Sequence, residues 1–190
     1  LVDGAAGTMA WFLSVVTIIG VVAAPLLVLL FAPGFREDAG KFDLTVDMLR
    51  WTFPYLLFIS LAALAGGVLN SYQRFAVPAS TSTLMNVVMI VFAAWIAPHF
   101  ERPGVVLAIG VFVSGLVQLA FQVPFMLRLG LLKRPRWRWG HEGVRKIARL
   151  MLPAIFGSSV SQVALLLDTL IASFLATGSI AWLYYADRLM

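Results

Sequence analysis

Long apolar runs separated by short polar connections make up nearly the whole chain. Read from that pattern, apolar spans cover roughly residues 8–31, 49–69, 79–97, 105–127 and 150–176, and a further one occupies 179–190. Each complete span is close to the ~20 residues an α-helix needs to cross hydrocarbon, about twice what a tilted barrel strand needs. The expected fold is an all-α polytopic membrane protein. Polar connections fall at "APGFREDAGKFDLTVDM", "NSYQRFAVPAS", "PHFERPG" and "TG".

Pro25, Pro54, Pro124 and Pro153 lie inside these spans. Each removes a backbone donor, which neighbouring helices in a bundle can compensate, so they read as fixed bends rather than hinges. Small residues mark close packing. Ala62 and Gly66, Ala63 and Gly67, and Gly110 and Ser114 form small-xxx-small pairs that let helix backbones approach, and contacts within one molecule account for them better than homodimerisation.

Composition strengthens the membrane reading. The chain is 61% hydrophobic and only 12% charged, with a mean hydropathy of +0.93, whereas a soluble domain needs far more charge to cover its surface. It opens at Leu1 without a methionine and stops inside an apolar segment, which reads as an internal piece of a larger transporter.

The net charge of +5 reflects topology. Eight of the fourteen Lys and Arg residues fall between Arg128 and Arg149. Positive-inside bias puts that basic loop, 128–149, and the turn bearing Arg74 on the cytoplasmic face, and the loops at 33–47, 98–104 and 177–179 outside. A nucleic-acid patch is not needed. Val144, Ile147, Ala148 and Met151 form an apolar stripe opposite Arg145, Lys146 and Arg149. That pattern predicts a helix on the inner membrane surface before the chain turns into the fifth span. Trp137 and Trp139 suit the interfacial belt, and topogenic charge with anchoring explains this loop better than a dedicated lipid-headgroup site.

Polar residues within the spans are costly in lipid and call for a role. Taking the turn at Thr177–Gly178, Asp168 and Arg188 each lie about 14 Å from it, near mid-membrane, and are expected to interact directly or through water. Asp187 points about 100° away from Arg188. Either the pair locks two helices, or Arg188 lines a wet cavity and binds an anion, since a guanidinium fork suits phosphate. These readings stay open on composition. Ser158, Ser161 and Gln162 in "GSSVSQ" are candidate cavity-lining groups, although hydroxyls at such depth commonly bond nearby backbone. Gln118, Gln122 and Asn86 are expected to face protein rather than lipid.

No catalytic constellation is present. There is no cysteine, and His99 and His141 stand in separate loops without ligand-spaced partners. No nucleophile set, phosphate loop or metal motif is found, so the chain is not read as an enzyme, and no cofactor or metal is assigned.

The blocks "APGF", "TFPYLLFISLAALAGGVLNSYQRFAVPA", "LMLPAIFGSSVSQ" and "ASFLATGSIAWLYYADRLM" resemble the MurJ (MviN) lipid II flippases of the MOP exporter superfamily. The resemblance covers nearly the whole chain. It implies a fourteen-helix, two-lobe transporter with a central V-shaped cavity, of which this chain would hold the third helix to the start of the eighth. It implies export of undecaprenyl-pyrophosphate-linked disaccharide pentapeptide, lipid II, to the outer leaflet of the bacterial inner membrane. A cavity-facing arginine of the eighth helix matches Arg188. The other required arginines, and an acidic residue, would lie on the two helices before this chain. Coupling to membrane potential or to a cation is implied without an identified site, and the full-length protein is expected to be a monomer in contact with membrane lipids. The competing readings are an exporter of another lipid-linked oligosaccharide or of drugs, and a non-transporting scaffold for cell-wall synthesis.

Overall fold

The computed structural model describes residues 2–130, 142–175 and 178–189 of the chain; the side chains of 2–5, 37, 39, 142–148, 150, 152, 154, 160 and 161 lie outside the described set. Among the described residues all regular structure is helical: α1 (Val2–Val22), α2 (Ala24–Phe31), a 3-10 turn (Pro33–Glu37), α3 (Ala39–Ser71), α4 (Ala76–Val91), α5 (Pro103–Arg128), α6 (Glu142–Ala172) and α7 (Ser179–Leu189). Four helical stretches are long and apolar enough to cross a membrane, Gly40–Ser71, Ala76–His99, Pro103–Arg128 and Ile155–Ala172, and α1 with α2 would make a fifth if counted together. The chain belongs to a multi-pass membrane protein. It divides into two compact units, Leu1–Val22 with Asp47–Arg145 and Ala23–Val46 with Lys146–Met190.

The helix boundaries refine the sequence reading in four places, the first being that α3 begins at Ala39, ten residues before the expected start of the second span at 49. The first span, 8–31, is two helices broken at Ala23. Pro25 sits in the first turn of α2, where a missing N–H costs nothing, but continuing α1 through it would have lost a bond and met a clash. The segment expected to lie flat before the fifth span is continuous with it, because α6 runs unbroken from Glu142 through Pro153 to Ala172. The basic residues at 131–141, and the aromatic pair Trp137 and Trp139, lie outside the described residues. At its far end α6 stops at Ala172, four residues before the expected limit.

In the first unit α3, α4 and α5 pack closely through small residues. On α3, Ala62 and Gly66 are buried while Ala63 and Gly67 face outward, so one of the two small-xxx-small pairs makes the contact. A Cβ on Gly66 would come 3.2 Å from Pro78 of α4, and one on Gly110 of α5 would come 2.9 Å from Phe92. Without hydrophobic drive between helices in lipid, such close van der Waals fit is what holds them. Leu69, Ala65 and Met126 form the buried cluster at one end, flanked by Val68, Val77, Phe125 and Leu129. Phe112 receives Trp51 and Phe58 edge-on, at 6.0 and 5.6 Å between ring centres. The outer faces carry exposed Ile90, Trp95, Phe100 and Leu127, as lipid contact requires.

The turn after α3 is a Schellman motif. Arg74 N–H donates to Leu69 O and Gln73 N–H to Asn70 O, with Gln73 held at φ +60°, a position glycine usually fills.

Candidate functional site

The site is built in the second unit, where α6, α7 and the 3-10 turn meet. Its shape follows from how α6 ends. The Ser173 N–H is shared between Thr169 O and Leu170 O, and the following bonds, Phe174 to Ile171 and Leu175 to Ala172, tighten to i→i−3. The Ser173 hydroxyl donates to Leu170 O at 2.7 Å and accepts the Gly34 N–H at 3.4 Å. Gly34 is required there, because a Cβ would overlap the Ser173 carbonyl. The 3-10 turn is thereby stitched to the end of α6. Gly178, at φ +104°, reverses the chain and starts α7.

Two cavities flank α7. The larger, about 740 Å³, is lined by Gly34, Phe35, Asp38 and Lys41, by Ala172–Leu175, and by Ser179, Ala181, Tyr184 and Tyr185 among others. The smaller, about 460 Å³, is lined by Asp168, Ile171, Ala172 and Leu175 and by Ser179, Trp182, Leu183 and Ala186. At 100° per residue, Ala181 and Tyr184 share one face of α7, and Arg188 continues it one turn beyond Tyr184. Ala186 is turned about 160° from Arg188. Asp168 lines the smaller cavity with Ala186, whereas Arg188 lines neither of the two.

No direct ion pair joins Asp168 and Arg188 among the described residues. Among the described residues the ion pairs are Lys41–Asp38, Arg50–Asp47 and Arg102–Asp47, and none includes Asp168, Asp187 or Arg188. Arg188 instead lies over the Tyr184 ring, 5.1 Å from guanidinium carbon to ring centre. The i, i+4 spacing of "YYADR" carries that contact and was readable.

The remaining candidates divide. Ser158 and Gln162 are exposed on α6, and Asp168 lies about 120° round the helix from Gln162, so they do not make one polar face. Ser158 donates to Ile155 O, as does Ser159 at 2.7 Å, which is the backbone bonding that hydroxyls find in membrane helices. Ser161 lies outside the described side chains. On α5, Gln118 and Gln122 are each 2% exposed and do face protein, whereas Asn86 is exposed on α4.

Asp38 and Lys41 were not singled out by the sequence. Asp38 Oδ1 accepts the Lys41 N–H at 3.1 Å, capping the start of α3, and its other oxygen lies 3.5 Å from the Lys41 ammonium. Those backbone donations, foremost the one from Lys41, hold its carboxyl below the ordinary value.

Comparison with known proteins gives the chain's relatives. The family profile described as lipid II flippase MurJ matches residues 1–190. The chain is 49% identical to a probable lipid II flippase MurJ of Vibrio cholerae and covers 38% of that protein with all of its own length. It is 48% identical to the Haemophilus influenzae protein of the same description, over 97% of the chain and 38% of the relative. A lipid II flippase MurJ of Burkholderia cenocepacia is 40% identical over the whole chain, again 38% of the relative. The chain thus spans under two fifths of the length of these relatives. With the profile met from the first residue to the last, the chain belongs to the lipid II flippase MurJ family.

Proposed function

We propose that the protein moves a lipid-linked peptidoglycan precursor from the cytoplasmic to the outer leaflet of the bacterial inner membrane. Lipid II is the named substrate of the relatives, and the protein acts as a transporter rather than an enzyme. The observation that carries this reading is Arg188, an exposed guanidinium outside the ion pairs found among the described residues, one turn beyond Tyr184, which lines the larger cavity.

A diphosphate entering hydrocarbon unaided would lose its hydration at a prohibitive cost. An arginine at membrane depth replaces lost water with charge-assisted, bidentate hydrogen bonds while the lipid tail stays in the bilayer. Had Arg188 been paired with Asp168, that attraction would have been spent internally. Alternating access around such a site completes the cycle, driven by membrane potential or a coupled cation. The protein works as a monomer on this reading.

The test uses the full-length protein. Arg188→Ala should insert normally yet lose the ability to support growth, and should flip lipid II in proteoliposomes at least tenfold more slowly. Removing the charges between Lys133 and Lys146 should matter less. A greater loss from the loop than from Arg188 would favour a scaffold, and unimpaired flipping by Arg188→Ala would sink the assignment.

A further inference from the structure

On α5, Ser114, Gln118 and Gln122 recur every fourth residue and so share one face of the helix. All three are buried, at 0%, 2% and 2% exposure. The Ser114 hydroxyl donates to Val111 O at 2.6 Å, but the side-chain carbonyl oxygens of Gln118 and Gln122 are sealed and accept no hydrogen bond. The walls explain why. At Gln122 they are Gly66 of α3 and Pro78 of α4, since a Cβ on Gly66 would lie 3.2 Å from Pro78 Cβ and 3.7 Å from Gln122 Oε1. Proline has no N–H, and glycine has no side chain to donate. Between the same two helices the Tyr55 hydroxyl donates at 3.6 Å to the sulfur of Met85, a weak acceptor.

A permanently shut seam would be better lined by methionine or leucine, because a buried carbonyl without a donor bears the full loss of its hydration. Both oxygens are covered by this chain itself, so a helix elsewhere in a longer protein cannot supply the donor while the seam stays closed. The far part of α4 shows where it can turn. Phe92 presses on Gly110 of α5, where a Cβ would come 2.9 Å from its ring, and the same residue opens a π-helical turn, Phe92–Ile96. Such turns interrupt the regular bond ladder and recur at functional positions. Pro78 lies fourteen residues from Phe92, about 21 Å along the helix. A tilt of about 8° therefore moves Pro78 by about 3 Å, the width of a water molecule. We propose that α4 swings about its Phe92–Gly110 contact and opens a latent water site, in which water donates to the carbonyls of Gln118 and Gln122. The first unit then has a sealed state and a hydrated one, and the glutamines serve the second. The opening is widest at Gln122, beside Pro78, and narrows toward Gln118.

The site is tested in full-length protein in nanodiscs, stripped of any cysteine outside this chain, which has none. The probe is 2-aminoethyl methanethiosulfonate, which reacts with thiolate and so reports water at the thiol. Gln122→Cys and, more slowly, Gln118→Cys should each label at least tenfold faster than Ala108→Cys, a position equally buried at 2% exposure on the same helix. Labelling of both glutamine positions at the Ala108→Cys rate overturns the site. A disulfide supplies the lock, because the Cβ positions of residues 66 and 78, 3.2 Å apart, are near the about 3.5–4.5 Å of a natural bridge. With Gly66→Cys and Pro78→Cys joined by oxidation, Gln118→Cys in the same molecule should label at least tenfold more slowly than it does alone. Undiminished labelling means that water arrives without movement of α4, and overturns the swing. Gln118→Met with Gln122→Met conserves volume and needs no thiol. The pair should raise the thermal midpoint by removing two unpartnered carbonyls; an unchanged or lower midpoint shows that those carbonyls already have donors, and overturns the proposal.

Discussion

The guanidinium of Arg188 lies 5.1 Å from the centre of the Tyr184 ring, one turn earlier on α7, and this contact takes the place of a carboxylate partner. The ring's quadrupole steadies the cation without neutralising it, so the charge remains available to a diphosphate. Tyr184→Phe should keep undecaprenyl diphosphate affinity within twofold. Tyr184→Ala should lower it about threefold, in line with the ~0.5–1 kcal/mol of an exposed cation–π contact. Calorimetric titration of full-length protein checks both.

Asp168 and Arg188 should behave independently. Residues without shared partners add within about 0.5 kcal/mol in a double-mutant cycle, whereas members of one network couple by more. Asp168→Asn and Arg188→Ala, alone and together, should therefore give additive losses in lipid II flipping. A coupling well above that limit would show that the two meet during the transport cycle.

The start of α3 should weaken in acid. The folded carboxyl of Asp38 is held below its ordinary value of 3.8. Its stabilising contribution is therefore fully present above 3.8 and is lost as pH falls through the lower folded value. Thermal denaturation compared at neutral pH and below 3.8 should show Asp38→Asn losing less stability on acidification than the unaltered protein.

Gln73 occupies a left-handed position at φ +60°. That conformation costs a side-chain-bearing residue roughly 1–2 kcal/mol, partly offset by the greater chain entropy of glycine. Gln73→Gly should raise stability by about 1 kcal/mol in thermal unfolding, with no effect on flipping.

The helices were legible because hydrocarbon thickness imposes a length that polar connections cannot hide, as in the long runs of α3 and α5. Arg188 was legible for a similar reason, since charge in an apolar segment stands out. What escaped was decided by contacts distant in sequence. The end of α6 at Ala172 depends on Ser173 meeting Gly34, 139 positions away, and no local pattern contains that partner. Asp38 and Lys41 escaped likewise, because a loop assigned only to a membrane side turned out to wall the same cavity as α7.

The hydrogen bond from Gly34 to Ser173, with no room for even a methyl group between them, has a mechanical meaning. Two segments packed this closely, with a backbone N–H held by a serine hydroxyl, resist sliding past one another. Any tilt of α6 is thus passed through the 3-10 turn to Asp38 and the first residues of α3, so that the mouth of the cavity reshapes whenever its floor moves.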